Sequence, residues 1–333
     1  MTTLERDAMS EEEPKARETP QGVPLQGPLS GILRRIVDQA TAAASRPQEP
    51  RPIQAGPCAT CGGKGYTLAP EGAHAVATPC SCERRCGRCD GRGFEIRKNA
   101  KGYEFHATCE CQTLPRRLAA YNAAQLPARF CGKGFQDFDV QKALGGDLVL
   151  AKQALHDFAA TAQPGVPKRG VVLSSPPGRG KTHLLAAALA HLTLGRGIDC
   201  RYIEMSLLFA DHKAAISDER TRAGLDRLDR LASIPILAID ELGKGRASQF
   251  ELELLDELVS RRYNTGKLTL FATNYPRERP APRGGGHADA TRPDPFGDSL
   301  EDRVGPRVFS RLVEIANILQ IHAASDFRQR GRG

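Results

Sequence analysis

The sequence predicts an α/β protein whose parallel sheet is covered by helices on both faces, preceded by a small cysteine-rich module. Two observations predict this division. From Gly170 onward, short apolar segments alternate with segments of helical periodicity, a pattern typical of parallel sheets. The cysteines are concentrated before that region, because all ten except Cys200 lie between Cys58 and Cys131. We therefore expect two folded parts of different size.

The composition excludes several classes of protein. A length of 333 residues suits two domains of roughly 100–200 residues each. No apolar run reaches the roughly 18 residues of a membrane span, and the N-terminal segment lacks the apolar stretch of a signal peptide. We expect a cytoplasmic protein without membrane contact, in which clustered cysteines bind metal rather than form disulfides. The net charge of +8 permits contact with nucleic acid but does not establish it.

Changes in composition indicate the domain boundaries. Residues 1–57 are rich in proline and charge and contain no aromatic residue, which predicts a mostly disordered tail. An apolar stripe from Ile32 to Ala40 predicts one short helix there, which is packed on the cysteine module, forms only transiently, or docks a partner. The cysteine module spans 58–112, a connector spans 113–169, and the α/β domain spans 170–333. Within that domain, residues 276–298 hold five prolines and four glycines and predict a disordered insertion.

Local patterns predict the elements of the connector and the α/β domain. The connector contains a helical stripe from Leu148 to Ala162. Ser248 and Glu251 form a capping box that starts a helix ending near Asn264. Two further helices are expected, one from Thr182 to about Leu194 and one that includes Phe309–Glu314. The predicted strands are Gly170–Ser174, Cys200–Glu204, Ile236–Asp240, Leu268–Thr273 and Asn317–His322.

A glycine-rich turn lies between the first predicted strand and its helix. The segment SPPGRGKT, which begins at Ser175, matches the phosphate-binding pattern G-x-x-x-x-G-K-[ST] except that serine replaces the first glycine. Gly178 and Gly180 allow the backbone to curl so that its N–H groups face phosphate oxygens. Lys181 can reach the β- and γ-phosphates, and the Thr182 hydroxyl can ligate Mg²⁺. We expect ATP and Mg²⁺ as cofactors, with the nucleotide contacted by Gly178, Arg179, Gly180, Lys181, Thr182 and His183.

Two later strands end in polar residues at the same predicted sheet edge. Asp240 and Glu241 follow an apolar run, which predicts that Asp240 holds Mg²⁺ and that Glu241 activates the attacking water. Asn274 follows the next strand and could position that water near the γ-phosphate. An isolated asparagine at a strand end is often a turn residue, so this assignment depends on the two acids beside it.

The order of these motifs resembles that of AAA+ ATPases, which implies a P-loop AAA+ core. The segments GVVLSSPPGRGKTHLL, ILAIDELG and RRYNTGKLTLFATNY resemble the DnaC/DnaI-type bacterial helicase loaders and their IstB-type transposition-helper relatives. The lead-in LPARF, from Leu126, and the segment Phe135–Phe138 also resemble that clade. The resemblance covers about residues 126–330 and implies ATP hydrolysis.

The same resemblance implies residues that complete the site between subunits. ATP would lie at an interface of a homo-oligomer formed on ATP binding, with an arginine finger supplied by the neighbour. Arg307 is the first candidate for this finger and Arg303 the second. With Arg311 they are spaced to share a helical face, unless Pro306 interrupts or starts the helix. Arg328 resembles the clade's second sensor and would touch the phosphates of its own subunit.

Residues 58–111 contain an internal repeat in which C-x2-C-x-G-x-G is followed by C-x-C. Eight thiolates suit two four-coordinate zinc sites, and the glycines should allow N–H groups to face sulfur. The motif is similar to the zinc repeats of DnaJ-type chaperones. This similarity is local and does not imply chaperone function. An interleaved pairing of the cysteines and an iron–sulfur cluster stay open. The repeat favours one zinc-ribbon-like site per copy: Cys58, Cys61, Cys80 and Cys82, then Cys86, Cys89, Cys109 and Cys111.

The cysteine module is also basic, which suits either phosphate contact or simple solubility. Taken with the clade resemblance, the expected function is loading of a replicative DNA helicase, with that helicase and single-stranded DNA as partners. An IstB-like transposition helper is one alternative. A zinc adaptor that binds ATP as a switch without hydrolysing it is another. The basic residues that accompany the cysteines are Lys64, Arg84, Arg85, Arg88, Arg92, Arg97, Lys98, Lys101, Arg116 and Arg117.

Overall fold

The computed structural model of the chain describes residues 58–82, 89–90, 92–139, 146–217, 221–279 and 297–322. These residues belong to one unit, which spans Gly56–Gly333. Several predictions fall outside the described residues: the N-terminal tail with its helix near Ile32, the ligand Cys86, the sensor Arg328, and residues 280–296 of the predicted insertion.

The strands alternate with helices over most of the described chain. The strands are β1 (Tyr66–Glu71), β2 (His74–Pro79), β3 (Phe94–Lys98), β4 (Glu104–Thr108), β5 (Gly170–Ser174), β6 (Cys200–Glu204), β7 (Ile236–Leu242), β8 (Leu268–Thr273) and β9 (Ala316–Gln320). The helices are α1 (Leu114–Ala124), α2 (Gly146–Thr161), α3 (Lys181–Ala190), α4 (Met205–Ser217), α5 (Thr221–Ser233), α6 (Gln249–Asn264), α7 (Leu300–Val304) and α8 (Pro306–Ile315). Among these helices we find none with the length and hydropathy that a membrane crossing requires.

Five of the described strands form a parallel sheet in the order β6-β7-β8-β5-β9. The strand before the glycine-rich turn, β5, therefore lies between β8 and β9 inside the sheet, and every residue of β5 is buried. Because all five strands are parallel, their carboxyl ends meet at one edge. That edge carries the polar residues which follow β5, β7 and β8.

Helices cover both faces of this sheet, as the sequence predicts. Alternate residues of a strand point to opposite faces, and in β5 Val171 and Leu173 pack with α1, α2 and α3. Val172, between them, packs on the other face with α4 to α8. The buried side chains thus form two cores, one on each side of the sheet, which confirms the expected α/β class.

The sequence predicts most of these elements, and the differences have local causes. Strand β7 extends two residues past the predicted Asp240, to Leu242, and its pairing with β8 shifts register between Ile239 and Leu242. The last strand begins one residue early, at Ala316, and ends at Gln320 rather than His322. The helix expected around Phe309 runs from Pro306 to Ile315, because Pro306 starts it. Helix α3 continues as a wider π-type turn over His191–Gly195.

The cysteine repeat forms two antiparallel hairpins, β1–β2 and β3–β4. The sequence does not predict these four strands, because short strands between pairs of metal ligands show little alternation of apolar and polar residues. The first hairpin buries Ala75 and Ala77 in the same core as α1, α2 and α3. The second hairpin has no buried strand residue, and Tyr103 at its turn is 70 % exposed.

The side chain of Arg262, in the last turn of α6, connects this helix to α5 and to β8. It is 1 % exposed. Its guanidinium donates to carbonyls at the end of α5 and just beyond it, to the Leu268 carbonyl and to the Thr269 hydroxyl of β8. Burial lowers the pKa of Arg262 to about 9. Five acceptors compensate for the loss of hydration that a buried cation would otherwise suffer.

We predict that Arg262→Ala lowers the free energy of unfolding by at least about 3 kcal/mol, because several buried carbonyls lose a charged donor. The adjacent Arg261 provides a matched control, since its ion pairs with Glu257 and Asp229 are exposed. Arg261→Ala should cost less than about 1 kcal/mol. Urea unfolding curves with equal slopes measure both changes. Equal destabilisation by the two variants would contradict this role for Arg262.

Candidate functional site

The carboxyl ends of β5 to β8 border a cavity of about 1060 Å³, here called the strand-end cavity. The turn between β5 and α3 forms its floor, and residues 127–130 and 137–139 form one wall. The cavity brings together residues that are far apart in sequence but share the sheet edge. Its lining includes these predicted site residues: Gly178, Arg179, Gly180, Lys181, Thr182, His183, Asp240, Glu241 and Asn274.

The floor of the cavity requires glycine at two positions. Gly178 and Gly180 both have φ of +80°, a left-handed conformation that other residues adopt at a cost. A Cβ atom at Gly180 would also lie 2.4 Å from Cε2 of Phe138. This confirms the expectation that these two glycines let the backbone curl. Ser175, at the position of the first glycine of the pattern, needs no such conformation.

The amino group of Lys181 lies inside the curl of this turn. It donates to the Ser175 carbonyl at 2.7 Å, to the Ser175 hydroxyl at 3.0 Å and to the Pro176 carbonyl at 3.1 Å. A fourth bond, 2.8 Å long, reaches Oδ1 of Asn274 beyond the end of β8. Replacement of the first glycine by serine therefore adds an acceptor for the lysine and leaves the turn intact.

The donors at the cavity floor fit an anion. Helix α3 begins at Lys181 with no side-chain cap and no acidic residue in its first turn, so its positive end is not neutralised locally. Arg179 contributes Nε and Nη1, which are buried without a hydrogen-bond partner among the described residues. Orphaned buried donors beside an open helix N-terminus are what a bound phosphate group would satisfy.

The two acids at the end of β7 both line the cavity because the strand is irregular there. Adjacent residues of a regular strand point to opposite faces. Glu241 has φ of +55°, and the register shift beside it is a bulge, which redirects its side chain. Asp240 is 3 % exposed and accepts bonds from the Glu241 N–H and the Tyr202 hydroxyl, both 2.8 Å long. The carboxylates of Asp240 and Glu241 therefore both lie at the strand-end cavity.

Glu204 and Lys244 interact with these two acids, although the sequence motifs indicate neither residue. Glu204 ends β6 and pairs in register with Asp240. The pKa of Glu204 is raised, first by its hydrogen bond with Glu241 and then by burial. For Glu241, burial alone would raise the pKa, but hydrogen bonds with Glu204 and Lys244 outweigh it and lower the pKa. These hydrogen bonds therefore favour the ionised form of Glu241.

A signal for Glu204 was available in the sequence. It ends a predicted strand, as Ser174 and Thr273 do, and parallel strands end at the same edge. Tyr202, two residues earlier, is another cavity residue that the sequence did not reveal. Burial raises the pKa of Tyr202 well above its ordinary value, so its hydroxyl stays a donor to Asp240.

The segment that carries the predicted arginines is divided into two helices at Gly305, which has φ of +82° and lies between α7 and α8. Arg303 and Arg307 therefore do not share one continuous helical face, which is the outcome expected if Pro306 starts a helix. Arg303 is held within its own chain. It donates to the carbonyls of Gly243 and Gly245, and its guanidinium lies 5.0 Å from the ring centre of Tyr275.

Arg307 has a different environment. Its side chain is 77 % exposed and lies 3.8 Å from Asp256, which is also paired with Arg311. Of the two predicted fingers, Arg307 is the one whose guanidinium is accessible to a neighbouring subunit. Arg303 instead holds the loop that follows Glu241 and carries Lys244.

The described cysteines of each repeat converge at the open end of their own hairpin. The sulfur atoms of Cys58, Cys61, Cys80 and Cys82 all lie within 4.8 Å of one another; this is the first cysteine cluster. The second cysteine cluster, defined in the same way, contains Cys89, Cys109 and Cys111, and its predicted fourth member, Cys86, lies outside the described residues.

The repeated glycines aim backbone donors at sulfur, as the sequence predicts. The N–H of Gly65 donates to Sγ of Cys61 at 3.4 Å, and the N–H of Gly93 donates to Sγ of Cys89 at 3.3 Å. Four thiols at this spacing, with such donors, fit a tetrahedral soft-metal site such as zinc. The grouping within each hairpin differs from the interleaved alternative.

The parallel sheet order and the phosphate-binding turn define a P-loop ATP-binding protein with the AAA+ fold. Residues 112–279, which are just over half of the chain, match the family described as IstB-like ATP binding protein. The chain belongs to this family. The matched range includes α1, α2 and four strands of the sheet, β5 to β8, whereas β9 lies outside it.

Two relatives illustrate the similarity. The phage-like element PBSX protein XkdC of Bacillus subtilis is 26 % identical over 197 residues, which are 56 % of this chain and 71 % of XkdC. The replicative helicase loader DnaC of Escherichia coli is 32 % identical over 106 residues, or 31 % of this chain and 41 % of DnaC. The chain thus spans less than half the length of the loader DnaC.

Two solved structures are also similar to this chain. A crystal structure of the DnaC helicase loader aligns with a TM-score of 0.47 and 25 % identity, covering 58 % of this chain and 98 % of that one. A crystal structure of DnaI aligns with a TM-score of 0.46 and 21 % identity, covering 57 % and 91 %.

Proposed function

We propose that this protein hydrolyses ATP in the strand-end cavity and uses the cycle to load a replicative DNA helicase. The observation that carries the proposal is the convergence of Lys181, Asp240, Glu241 and Asn274 at one cavity. Membership of an ATP-binding family and similarity to the loader DnaC give the proposal its direction.

The cavity residues have distinct roles in this proposal. The α3 N-terminus and Lys181 bind the phosphates, and Lys181 exchanges some of its bonds within the turn for bonds to them. Thr182 and Asp240 hold Mg²⁺, which when bound neutralises charge on the β- and γ-phosphates. Glu241 takes a proton from the attacking water, and Asn274 orients that water. Tyr202 holds Asp240 in position.

Two variants separate binding from hydrolysis. We predict that Lys181→Ala lowers the affinity for ATP strongly, because the phosphates lose a buried counter-charge. Glu241→Gln should bind ATP like the wild type but hydrolyse it at least about 100-fold more slowly, since general-base catalysis contributes about 10²–10⁴. Titration with a fluorescent ATP analogue and a steady-state phosphate assay measure the two properties.

The same pair of assays tests the alternative of a non-hydrolysing zinc adaptor. Wild-type protein that binds ATP without turnover would support the adaptor and contradict the proposed ATPase. Normal hydrolysis by Glu241→Gln would remove that residue from the assigned role.

We propose further that Arg307 acts in trans, as an arginine finger in an ATP-dependent homo-oligomer. Its support is that the side chain is exposed and only weakly paired, whereas Arg303 is held within its own chain. A cation brought to the transferred phosphoryl group stabilises its developing charge. Outside the described residues, Arg328 is proposed to contact the phosphates from the same subunit.

Mixing two inactive variants tests this assembly. We predict that Arg307→Ala binds ATP but loses about 10³-fold or more in hydrolysis rate, the range known for arginine fingers. Added to Lys181→Ala, it should regain activity, because one chain supplies an intact nucleotide site and the other an intact finger. Arg303→Ala provides the comparison. If activity is regained only in the mixture that contains Arg303→Ala, then Arg303 and not Arg307 is the finger. If the chains co-assemble and neither mixture regains activity, neither arginine acts in trans.

We propose that each cysteine cluster binds one zinc ion, with Cys86 as the fourth ligand of the second. The prediction is about two zinc ions per chain by elemental analysis, from four thiolates per structural site. Cys86→Ser should reduce this to about one. Iron with visible absorbance would instead support the iron–sulfur alternative, and a single zinc in the wild type would contradict the two-site proposal.

Single-stranded DNA is the proposed nucleic-acid partner, with the β3–β4 hairpin as its contact. Phe105 is 47 % exposed and lies opposite Arg97 in the ribbon, two residues after the exposed Tyr103. Exposed rings beside a cation can stack on bases and attract phosphates. Tyr103→Ala with Phe105→Ala should weaken binding of a labelled oligonucleotide by about 1–3 kcal/mol per lost stack. Leu150→Ala, an exposed residue of α2, is the control, and unchanged binding by the double variant would exclude this surface.

Purification of the full chain from native lysate, with and without ATP, tests the helicase partner. A replicative helicase that co-purifies in an ATP-dependent manner supports loading, and its identity permits a direct assay of helicase transfer onto DNA. Recovery of a transposase in its place would support the IstB-like transposition helper and overturn the loader assignment.

A further inference from the structure

The two cysteine hairpins have nearly the same sequence motif but different surroundings. In the first, Ala75 and Ala77 of β2 are 1 % and 2 % exposed. In the second, Ile96 of β3 and Phe105 of β4 are 55 % and 47 % exposed. Similar units therefore contribute differently to the molecule. The first is part of the ATP-binding domain, whereas the strands of the second lie at its surface.

Backbone hydrogen bonds attach the first hairpin to residues 126–128, where the cavity wall begins. The N–H of Ala75 donates to the Leu126 carbonyl at 2.8 Å, and the N–H of Ala128 donates to the Ala73 carbonyl at 2.9 Å. Asn122 of α1 adds a side-chain clamp on Ala77. Its Oδ1 accepts from the Ala77 N–H at 2.7 Å, and its Nδ2 donates to the Ala77 carbonyl at 3.0 Å.

The attached segment is itself part of the strand-end cavity. Pro127 to Phe130 line it, and so does Ala73 at the turn of the hairpin. The Phe130 ring lies 5.7 Å from the ring of His183, which belongs to the first turn of α3. The hairpin thus supports one wall of the cavity directly, and that wall reaches the phosphate-binding turn.

The first cysteine cluster lies at the opposite, open end of this hairpin. Gly65, which directs its N–H to Cys61, also accepts a bond from the N–H of Cys80 at 2.9 Å. A two-stranded hairpin is marginally stable on its own, and a metal that joins its two ends would supply the missing stability. The second hairpin can gain the same stability from its own cluster without affecting the cavity.

We infer that the first cysteine cluster is a structural part of the nucleotide site, so that metal held by Cys58, Cys61, Cys80 and Cys82 maintains the affinity for ATP. Loss of that metal by chelation releases the β1–β2 hairpin from residues 126–128 and opens the cavity wall. The second cluster has no such effect. This inference rests on the proposed function, because it requires that the cavity binds ATP and that the clusters bind zinc.

Matched cysteine variants of the full chain test the inference. Cys80→Ser with Cys82→Ser should lose one zinc and bind a fluorescent ATP analogue at least about tenfold more weakly, equal to about 1.4 kcal/mol. Cys109→Ser with Cys111→Ser should also lose one zinc but bind the analogue like the wild type. Equal affinity in the two double variants, whether unchanged or equally reduced, would overturn the inference. Wild-type protein without ATP binding would instead refute the proposed function.

A second pair of variants leaves every cysteine in place, which covers the case in which the first double variant does not fold. Asn122→Ala removes the clamp on Ala77 and should weaken ATP binding by about three- to tenfold, since two hydrogen bonds contribute about 1 kcal/mol or more. Its zinc content should remain that of the wild type. Asn99→Ala removes the corresponding side-chain clamp at the turn of the second hairpin, on Lys101 and Tyr103, and should leave ATP affinity unchanged. An Asn122→Ala protein with wild-type affinity would show that the hairpin does not support the cavity.

Discussion

The arrangement of the site depends on the buried amino group of Lys181. A cation withdrawn from water requires several acceptors, and this one finds them in the turn at Ser175 and Pro176 and beyond the end of β8 at Asn274. These bonds curl the turn around the lysine and direct the start of α3 at the cavity. They also hold the ends of two neighbouring strands together. In the proposed function, a phosphate group that enters the cavity meets the start of α3 and the buried donors of Arg179 already in place, and Lys181 exchanges some of its bonds within the turn for bonds to that group.

The two acids near this lysine, Asp240 and Glu241, differ in burial and in hydrogen-bond partners. Asp240 is buried and held by Tyr202, whereas Glu241 beside it is partly exposed and exchanges hydrogen bonds with Glu204 and Lys244. A bulge at the end of β7 is what lets both acids face one cavity. Arg303 then fixes the loop that carries Lys244. Arg303, which the sequence motif offers as a finger for a neighbouring subunit, thus stabilises the loop beside the acidic residues of its own chain.

The cysteine repeat shows that similar sequence units can take different structural roles. Both hairpins place their cysteines at the open end and both use a glycine N–H against sulfur. The difference lies in β2, where two alanines allow close approach of α1 and of residues 126–128. The corresponding positions of the second hairpin, 29 residues later, hold Glu104 and His106, whose larger polar side chains cannot pack so closely. Small side chains therefore decide which hairpin becomes part of the ATP-binding domain.

The sequence by itself determined the α/β class, the phosphate-binding turn, the acids after β7 and the grouping of cysteines by repeat. These features depend on short-range physics: strand and helix periodicity, the conformational freedom of Gly178 and Gly180, and the spacing of ligands along the chain. Only the tertiary structure decided the roles of Glu204, Tyr202, Lys244 and Arg303. Their partners are distant in sequence, and their contacts arise from strand order, a bulge and the break at Gly305. The attachment of the first hairpin to the cavity wall is of the same kind, because it depends on backbone groups that carry no sequence signature.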